Sequence, residues 1–170
     1  MRKMVSTIVF IIIISSLYVC YNFLNEGFTP AAEEEDVQHQ REIGDEVILD
    51  TYNLTVIGVD EKQYISSYYG SSAEAENGAK FVLIALKLEN TADKDFMFSS
   101  NLRLVDNKGN EYHSYPYTKD NLDNHLDNRK LSPNMKEVGY IVYEIPTEST
   151  SYSLFLYNSE TREIFEIQLK

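Results

Sequence analysis

The chain of 170 residues has one cysteine and no tryptophan, and these scarcities narrow the classes of protein to which it can belong. The cysteine, Cys20, lies in an apolar segment near the N-terminus, so the rest of the chain has no disulfide and no zinc site built on sulfur. Without tryptophan or a cysteine pair, the chain also lacks the hallmark residues of antibody domains. The remainder must hold its fold by packing alone.

Sequence motifs of common enzyme classes are missing as well. The chain contains no G-x-S-x-G, no G-x-G-x-x-G, no P-loop and no H-E-x-x-H. Its three histidines, His39, His113 and His125, belong to no motif that would activate a nucleophile. We predict that the protein is not an enzyme and carries no cofactor.

Basic residues are few compared with acidic ones. Fifteen lysines and arginines stand against 27 acids, which gives a formal net charge of −12. Nucleic acid and anionic lipid head groups repel such a protein, whereas cationic partners remain compatible with it. We expect no nucleic-acid partner.

One long apolar run is present at residues 5–24, which include no charged side chain. About 20 residues at about 1.5 Å each span the roughly 30 Å of a bilayer's hydrocarbon core. Arg2 and Lys3 precede the run and acids follow it, so the positive-inside rule places residues 1–4 in the cytoplasm. The sequence predicts a single-pass signal anchor at residues 5–24, with the rest of the chain outside the membrane.

The same run has two alternative interpretations. A cleaved signal peptide would release a secreted protein, although its apolar region is usually shorter and ends at small residues. Lipid attachment at Cys20 would normally require a small residue before the cysteine, and Val19 stands there instead. The retained anchor is the interpretation we prefer.

The segment that follows the run, residues 25–43, reads as a linker. It contains Pro30 and four consecutive acids at residues 33–36, and it has no apolar period of 2 or 3.6. Such a segment repels itself and stays extended. We predict an acidic, flexible linker.

Residues 44–170 show the alternating pattern of β-strands divided by turn residues. Because strands do not alternate with helices, we predict one all-β domain, an immunoglobulin-like antiparallel sandwich of seven or eight strands. A lipocalin-like closed barrel is the alternative. Residues 81–88 are apolar on both faces and predict a central strand. The predicted strands cover residues 47–49, 54–59, 81–88, 102–105, 111–115, 138–145, 152–157 and 164–169.

Two longer segments, residues 60–78 and 116–133, interrupt these strands and are candidates for binding loops. Tyrosines in and beside them would supply contact area with a polar tip, as at many interfaces. The alternative is that they pack at half-buried positions. The predicted interaction residues are Tyr64, Tyr68, Tyr69, Tyr115 and Tyr117.

An acidic loop at residues 119–129 suggests a cation site. Asp120, Asp123 and Asp127 supply the oxygen ligands that calcium prefers, with His125 among them. Their spacing does not match an EF-hand, and a solvated polar loop is the alternative. The similar run at residues 106–111 is explained by a hairpin turn.

Several short motifs follow one another along residues 44–170: Gly44-Asp45-Glu46, Leu54-Thr55-Val56, Lys80-Phe81-Val82, Leu88-Glu89-Asn90-Thr91, Leu104-Val105-Asp106, Gly109, Tyr112, Leu131-Ser132-Pro133 and residues 139–146. Their order and spacing resemble those of a known family. It is the telokin-like, immunoglobulin-fold family of unknown function on lipoproteins and anchored surface proteins of Gram-positive bacteria. The resemblance implies a fold and a location outside the membrane, but no reaction and no functional residues. Asn134 departs from the family's usual glycine, yet asparagine tolerates the same left-handed backbone.

Two functional hypotheses follow from these features. The first is a membrane-anchored extracytoplasmic binding module whose partner is a protein or another component of the cell envelope. The second is a cation-sensing or ligand-sensing surface protein that uses the loop at residues 119–129.

Overall fold

The computed structural model describes residues 37–68, 70–99, 102–115, 122–126, 128–158 and 160–170. The predicted anchor and the first part of the predicted linker lie outside these ranges. In the described ranges no helix is long and apolar enough to span a bilayer, and the regular structure consists of thirteen strands. The strands are β1 (Val37–Arg41), β2 (Glu46–Ile48), β3 (Tyr52–Lys62), β4 (Tyr64–Ser66), β5 (Ser72–Glu74), β6 (Ala79–Asn90), β7 (Phe96–Phe98), β8 (Arg103–Asp106), β9 (Glu111–Tyr112), β10 (Arg129–Leu131), β11 (Lys136–Pro146), β12 (Tyr152–Asn158) and β13 (Glu163–Gln168).

Two sheets form the body of the domain. One has five strands in the order β1-β13-β12-β8-β9, and the other has four in the order β11-β6-β3-β2. Apolar side chains from both sheets share one buried cluster, which makes the fold a β-sandwich. The sheets keep separate edges, so the closed-barrel alternative is wrong. The number of strands exceeds the predicted seven or eight because additional short strands lie in segments for which the sequence predicts loops.

The prediction of a central strand is confirmed by β6, which lies between β11 and β3. Its inward side chains, such as Val82, Ile84 and Leu86, belong to the main cluster between the sheets. Its outward side chains Phe81 and Leu83 are buried in a second cluster on the opposite face. Both faces of β6 are therefore covered, as its unbroken apolar sequence requires.

The first strand corrects the predicted linker, which was expected to extend through residue 43. Residues 37–41 instead form β1, which pairs in parallel with β13 and makes the five-stranded sheet mixed. His39 stacks on Phe165 with ring centroids 5.2 Å apart, and its Nε2 lies 3.1 Å from a carboxylate oxygen of Glu163. The guanidinium of Arg41 lies 5.7 Å from the same aromatic ring. Polar and aromatic contacts hold β1 in the sheet. This explains why a strand forms here although the sequence shows no apolar alternation.

Candidate functional site

The outer face of the four-stranded sheet is covered over one half by the segments predicted as binding loops. Within residues 60–78, β4 and β5 form a short antiparallel hairpin. Ile65 of β4 and Ala75, which directly follows β5, are buried and pack on Phe81, Leu83 and Val142 of the sheet. This set of five buried residues is called the outer cluster below.

Tyr115 also covers the outer cluster. Its ring meets that of Phe81 edge to face with centroids 5.0 Å apart, and its backbone N–H donates to the carbonyl of Val142 at 2.6 Å. The side chain is half-buried. This geometry favours a packing role for Tyr115 over direct contact with a partner.

Tyr64 and Tyr68 are the exposed tyrosines of the hairpin and of the turn that follows β4. Their exposed fractions are 53% and 89%. The backbone N–H of Tyr68 donates to the carboxylate of Asp123 at 2.7 Å, which ties the first loop to the second. The predicted residues Tyr69 and Tyr117 lie outside the described residues.

The described part of the second loop runs along the edge of β11 that faces away from β6. The N–H of Tyr140 donates to the carbonyl of Asn124, and the N–H of Leu126 donates to the carbonyl of Tyr140, both at 2.9 Å. Leu126 is buried in the main cluster between the sheets. A side chain at Gly139 would place its Cβ 2.1 Å from the Asn124 carbonyl oxygen, so this glycine permits the close approach of the loop.

A groove of about 320 Å³ opens on the same sheet face, where the covered half ends. Its floor is a row across three strands, because Gly58 pairs with Ala85 and Ala85 pairs with Tyr140. Sequence reasoning missed this groove, although a glycine inside a strand is a recognised sign of close approach by another group. The lining residues are Gly58, Val59, Asp60, Lys62, Leu83, Ala85, Leu122 and Tyr140.

The structure bears on only part of the predicted cation site. Asp123 accepts the hydrogen bond from Tyr68, while Asp120 and Asp127 lie outside the described residues. Among the residues that are described, no group of three His, Cys, Asp or Glu side chains could hold a metal ion. Cation binding by residues 119–129 stays a prediction.

A polar cluster around Glu61 joins the two sheets. One of its carboxylate oxygens accepts from Tyr152 Oη at 2.7 Å, Lys170 Nζ at 2.8 Å and Lys80 Nζ at 3.1 Å. Partial burial disfavours the ionised carboxylate, but these three hydrogen bonds together outweigh burial and lower the pKa of Glu61 to about 2. Burial, followed by the contact with Glu61, raises the pKa of Tyr152. The cluster fixes the charge of Glu61 and has a structural role.

The run at residues 106–111 forms the predicted hairpin turn. One Asp106 carboxylate oxygen accepts from the backbone N–H groups of Lys108 and Asn110, both at 2.9 Å. The other accepts from Tyr112 Oη at 2.9 Å and Ser149 Oγ at 3.0 Å. The side-chain hydrogen bond from Asn110 is the main cause that lowers the pKa of Asp106. Both oxygens of this carboxylate therefore accept hydrogen bonds from neighbouring groups of the protein.

Comparison with solved structures finds the same sandwich in several bacterial proteins. A β-sandwich protein from Clostridium difficile is 14% identical with a TM-score of 0.60, covering 81% of this chain and 99% of its own. A Bacillus subtilis protein described as a "putative lipoprotein" is 13% identical with a TM-score of 0.53, covering 75% of this chain and 39% of its own. The secreted protein MPT63 from Mycobacterium tuberculosis is 11% identical with a TM-score of 0.51, covering 78% and 99%. At these identities the likeness establishes the fold alone.

Comparisons of the sequence identify the family of the chain. None of the curated proteins matches the chain. One family model matches residues 41–163, and its description is "Domain of unknown function (DUF4352)".

Proposed function

The chain belongs to the DUF4352 family, and we propose that it is an extracytoplasmic binding module, held at the membrane by residues 5–24, without catalytic activity. Its partner would be a protein or another component of the cell envelope. The DUF4352 description and the β-sandwich neighbours are compatible with this proposal, and they leave the partner to experiment.

One observation carries the proposal. The two segments predicted as binding loops meet over one half of a sheet face, where the hydrogen bond between Tyr68 and Asp123 connects them. Tyr64 and Tyr68 are exposed on the first of these segments, and a groove opens on the same sheet face. Exposed tyrosines presented by loops on a packed scaffold are typical of interaction surfaces.

The location outside the membrane has separate support. The apolar run and the preceding cations predict an anchor with the domain outside. The structural neighbours include a "putative lipoprotein" and a secreted protein. The resemblance to a telokin-like domain of Gram-positive surface proteins agrees with the same location.

The test is affinity capture from membranes of the native host with the tagged full chain. Three proteins are compared: the parent, a double variant Tyr64→Ser/Tyr68→Ser, and Tyr157→Ser. Tyr157 is a matched control, because 52% of it is exposed and it lies on the five-stranded sheet. We expect the parent and the control to retain a partner that the double variant loses. Capture of the same partner by all three proteins would contradict the proposal.

A further inference from the structure

The second half of β3 has a free edge. On the side away from β6, β2 pairs only with residues 53–55 of β3. The N–H of Gly44 then donates to the carbonyl of Val56 at 2.9 Å. Beyond this bond, among the described residues, no strand pairs with residues 57–62 on that side. A free edge of this kind presents backbone donors and acceptors to an incoming strand.

The groove described above opens along the same six residues. Gly58, Asp60 and Lys62 line it from β3, and Leu83, Ala85 and Tyr140 line it from the neighbouring strands. A strand added at the free edge would alternate its side chains, and every second one would face this side of the sheet. One of these side chains could extend over Gly58 into the groove.

Gly58 has no conformational reason to be glycine. It follows a bulge between Val56 and Gly58, but its φ is not positive, and a Cβ at this position would meet nothing within 4 Å. A larger residue would therefore fit the backbone and its surroundings. What a larger side chain would change is the groove, because it would cover the floor formed with Ala85.

We infer that residues 57–62 and the adjoining groove bind an extended peptide segment of a partner protein, which adds as a strand to β3 and inserts one large apolar side chain above Gly58 and Ala85. This inference rests on the proposed binding function and specifies its mode. Main-chain hydrogen bonds at the edge would supply affinity, and the groove would supply side-chain specificity.

The net charge of the chain, −12, favours a basic peptide. At the edge itself Glu61 is held by Lys80 and Lys170, so it adds no free negative charge there. Asp60 and Lys62 form an exposed ion pair at 3.1 Å. A bulge and exposed charges are features that discourage indiscriminate pairing at a free edge. A segment with lysine or arginine beside its apolar anchor is attracted by the negative net charge of the chain.

The test uses the purified full chain in detergent micelles, with a phage-displayed library of random linear peptides as the probe. We expect enriched peptides to alternate in polarity, to carry basic residues around one large apolar residue, and to lack proline. Gly58→Leu should weaken their binding about tenfold or more, because it fills the groove. Val138→Leu is the control, since Val138 is exposed on β11 and does not line the groove.

Synthetic copies of an enriched peptide test the backbone contacts without changing the protein. Methylation of alternate amide nitrogens should abolish binding for the set that faces β3 and leave it intact for the other set. The inference is overturned if no peptide is enriched, if Gly58→Leu binds as the parent does, or if both methylated sets bind equally. Since capture from host membranes tests Tyr64 and Tyr68 separately, failure of this inference is distinguishable from failure of the proposed function.

Discussion

The two faces of β6 are buried by different parts of the molecule. The inward face packs against a second sheet, in a cluster to which both sheets contribute. The outward face is covered by the short β4–β5 hairpin together with Tyr115 and Leu122, and among the described residues its cluster contains five buried hydrophobic side chains. Short covers with few buried contacts open at a lower free energy than the sheets beneath them. The difference separates a face that stabilises the fold from a face that can adapt to a partner.

The sharpest test of this comparison replaces leucines on opposite faces of one strand. We expect Leu86→Ala, in the main cluster, to lower the free energy of unfolding by about 3–5 kcal/mol. Leu83→Ala, in the outer cluster, should cost about 1–3 kcal/mol, because the hairpin can settle into part of the cavity. Denaturant unfolding of both variants measures the difference. Equal losses would show that the two covers are equally rigid.

A second prediction concerns the packing of the second loop against β11. Gly139→Ala would force the Asn124 carbonyl oxygen and Leu126 away from β11, and we expect a loss of about 1–3 kcal/mol. Amide hydrogen exchange should rise at Tyr140 and Leu126, whose backbone bonds would be disturbed. Gly58→Ala is the matched control, and its stability should equal or slightly exceed that of the parent. Unchanged exchange in Gly139→Ala would contradict the described packing.

The Glu61 cluster predicts how acid affects the contact between the sheets. Because the folded pKa is about 2 and the unfolded value is about 4.5, the stabilisation is complete above pH 4.5 and is lost as the pH falls towards 2. After allowance for solvent screening we expect about 1–2 kcal/mol. Unfolding free energies measured across this interval should fall less steeply in Glu61→Gln. If the unfolding free energy depended on pH identically in both proteins, the cluster would be excluded as the cause of the loss of stability in acid.

The smallest effect is expected at the exposed tyrosines. Tyr64→Ser/Tyr68→Ser should change the free energy of unfolding by no more than about 0.5 kcal/mol, since neither side chain is buried. Thermal unfolding beside Tyr157→Ser checks this. A much larger loss would mean that these tyrosines stabilise the hairpin, and the capture experiment would then need a milder variant.

Strands with a clear apolar pattern could be predicted from the sequence. β6, β12 and β13 were expected because their inward residues are apolar, and Phe165, Ile167 and Leu169 are buried as their alternation predicts. The left-handed backbone expected to be tolerated at Asn134 is present, with φ of 62°. In these places local pattern and tertiary packing agree.

Other features could not be predicted because they depend on contacts between distant segments. β1 is a polar strand whose pairing is determined by β13, and β4 and β5 are too short to show a period. The groove floor joins Gly58, Ala85 and Tyr140 through the register of three strands, which one sequence does not reveal. The candidate site therefore depends mostly on tertiary contacts, and only its tyrosines could be predicted from the sequence.

The most direct test of the proposed binding surface is site-specific photocrosslinking in native host cells. A photoreactive amino acid would replace Tyr68 on the loop-covered face or, in a parallel experiment, Tyr157 on the five-stranded sheet. We expect a discrete crosslinked product from position 68 and none from position 157. No product at position 68, or the same products from both positions, would contradict the claim that the loop-covered face is the binding surface.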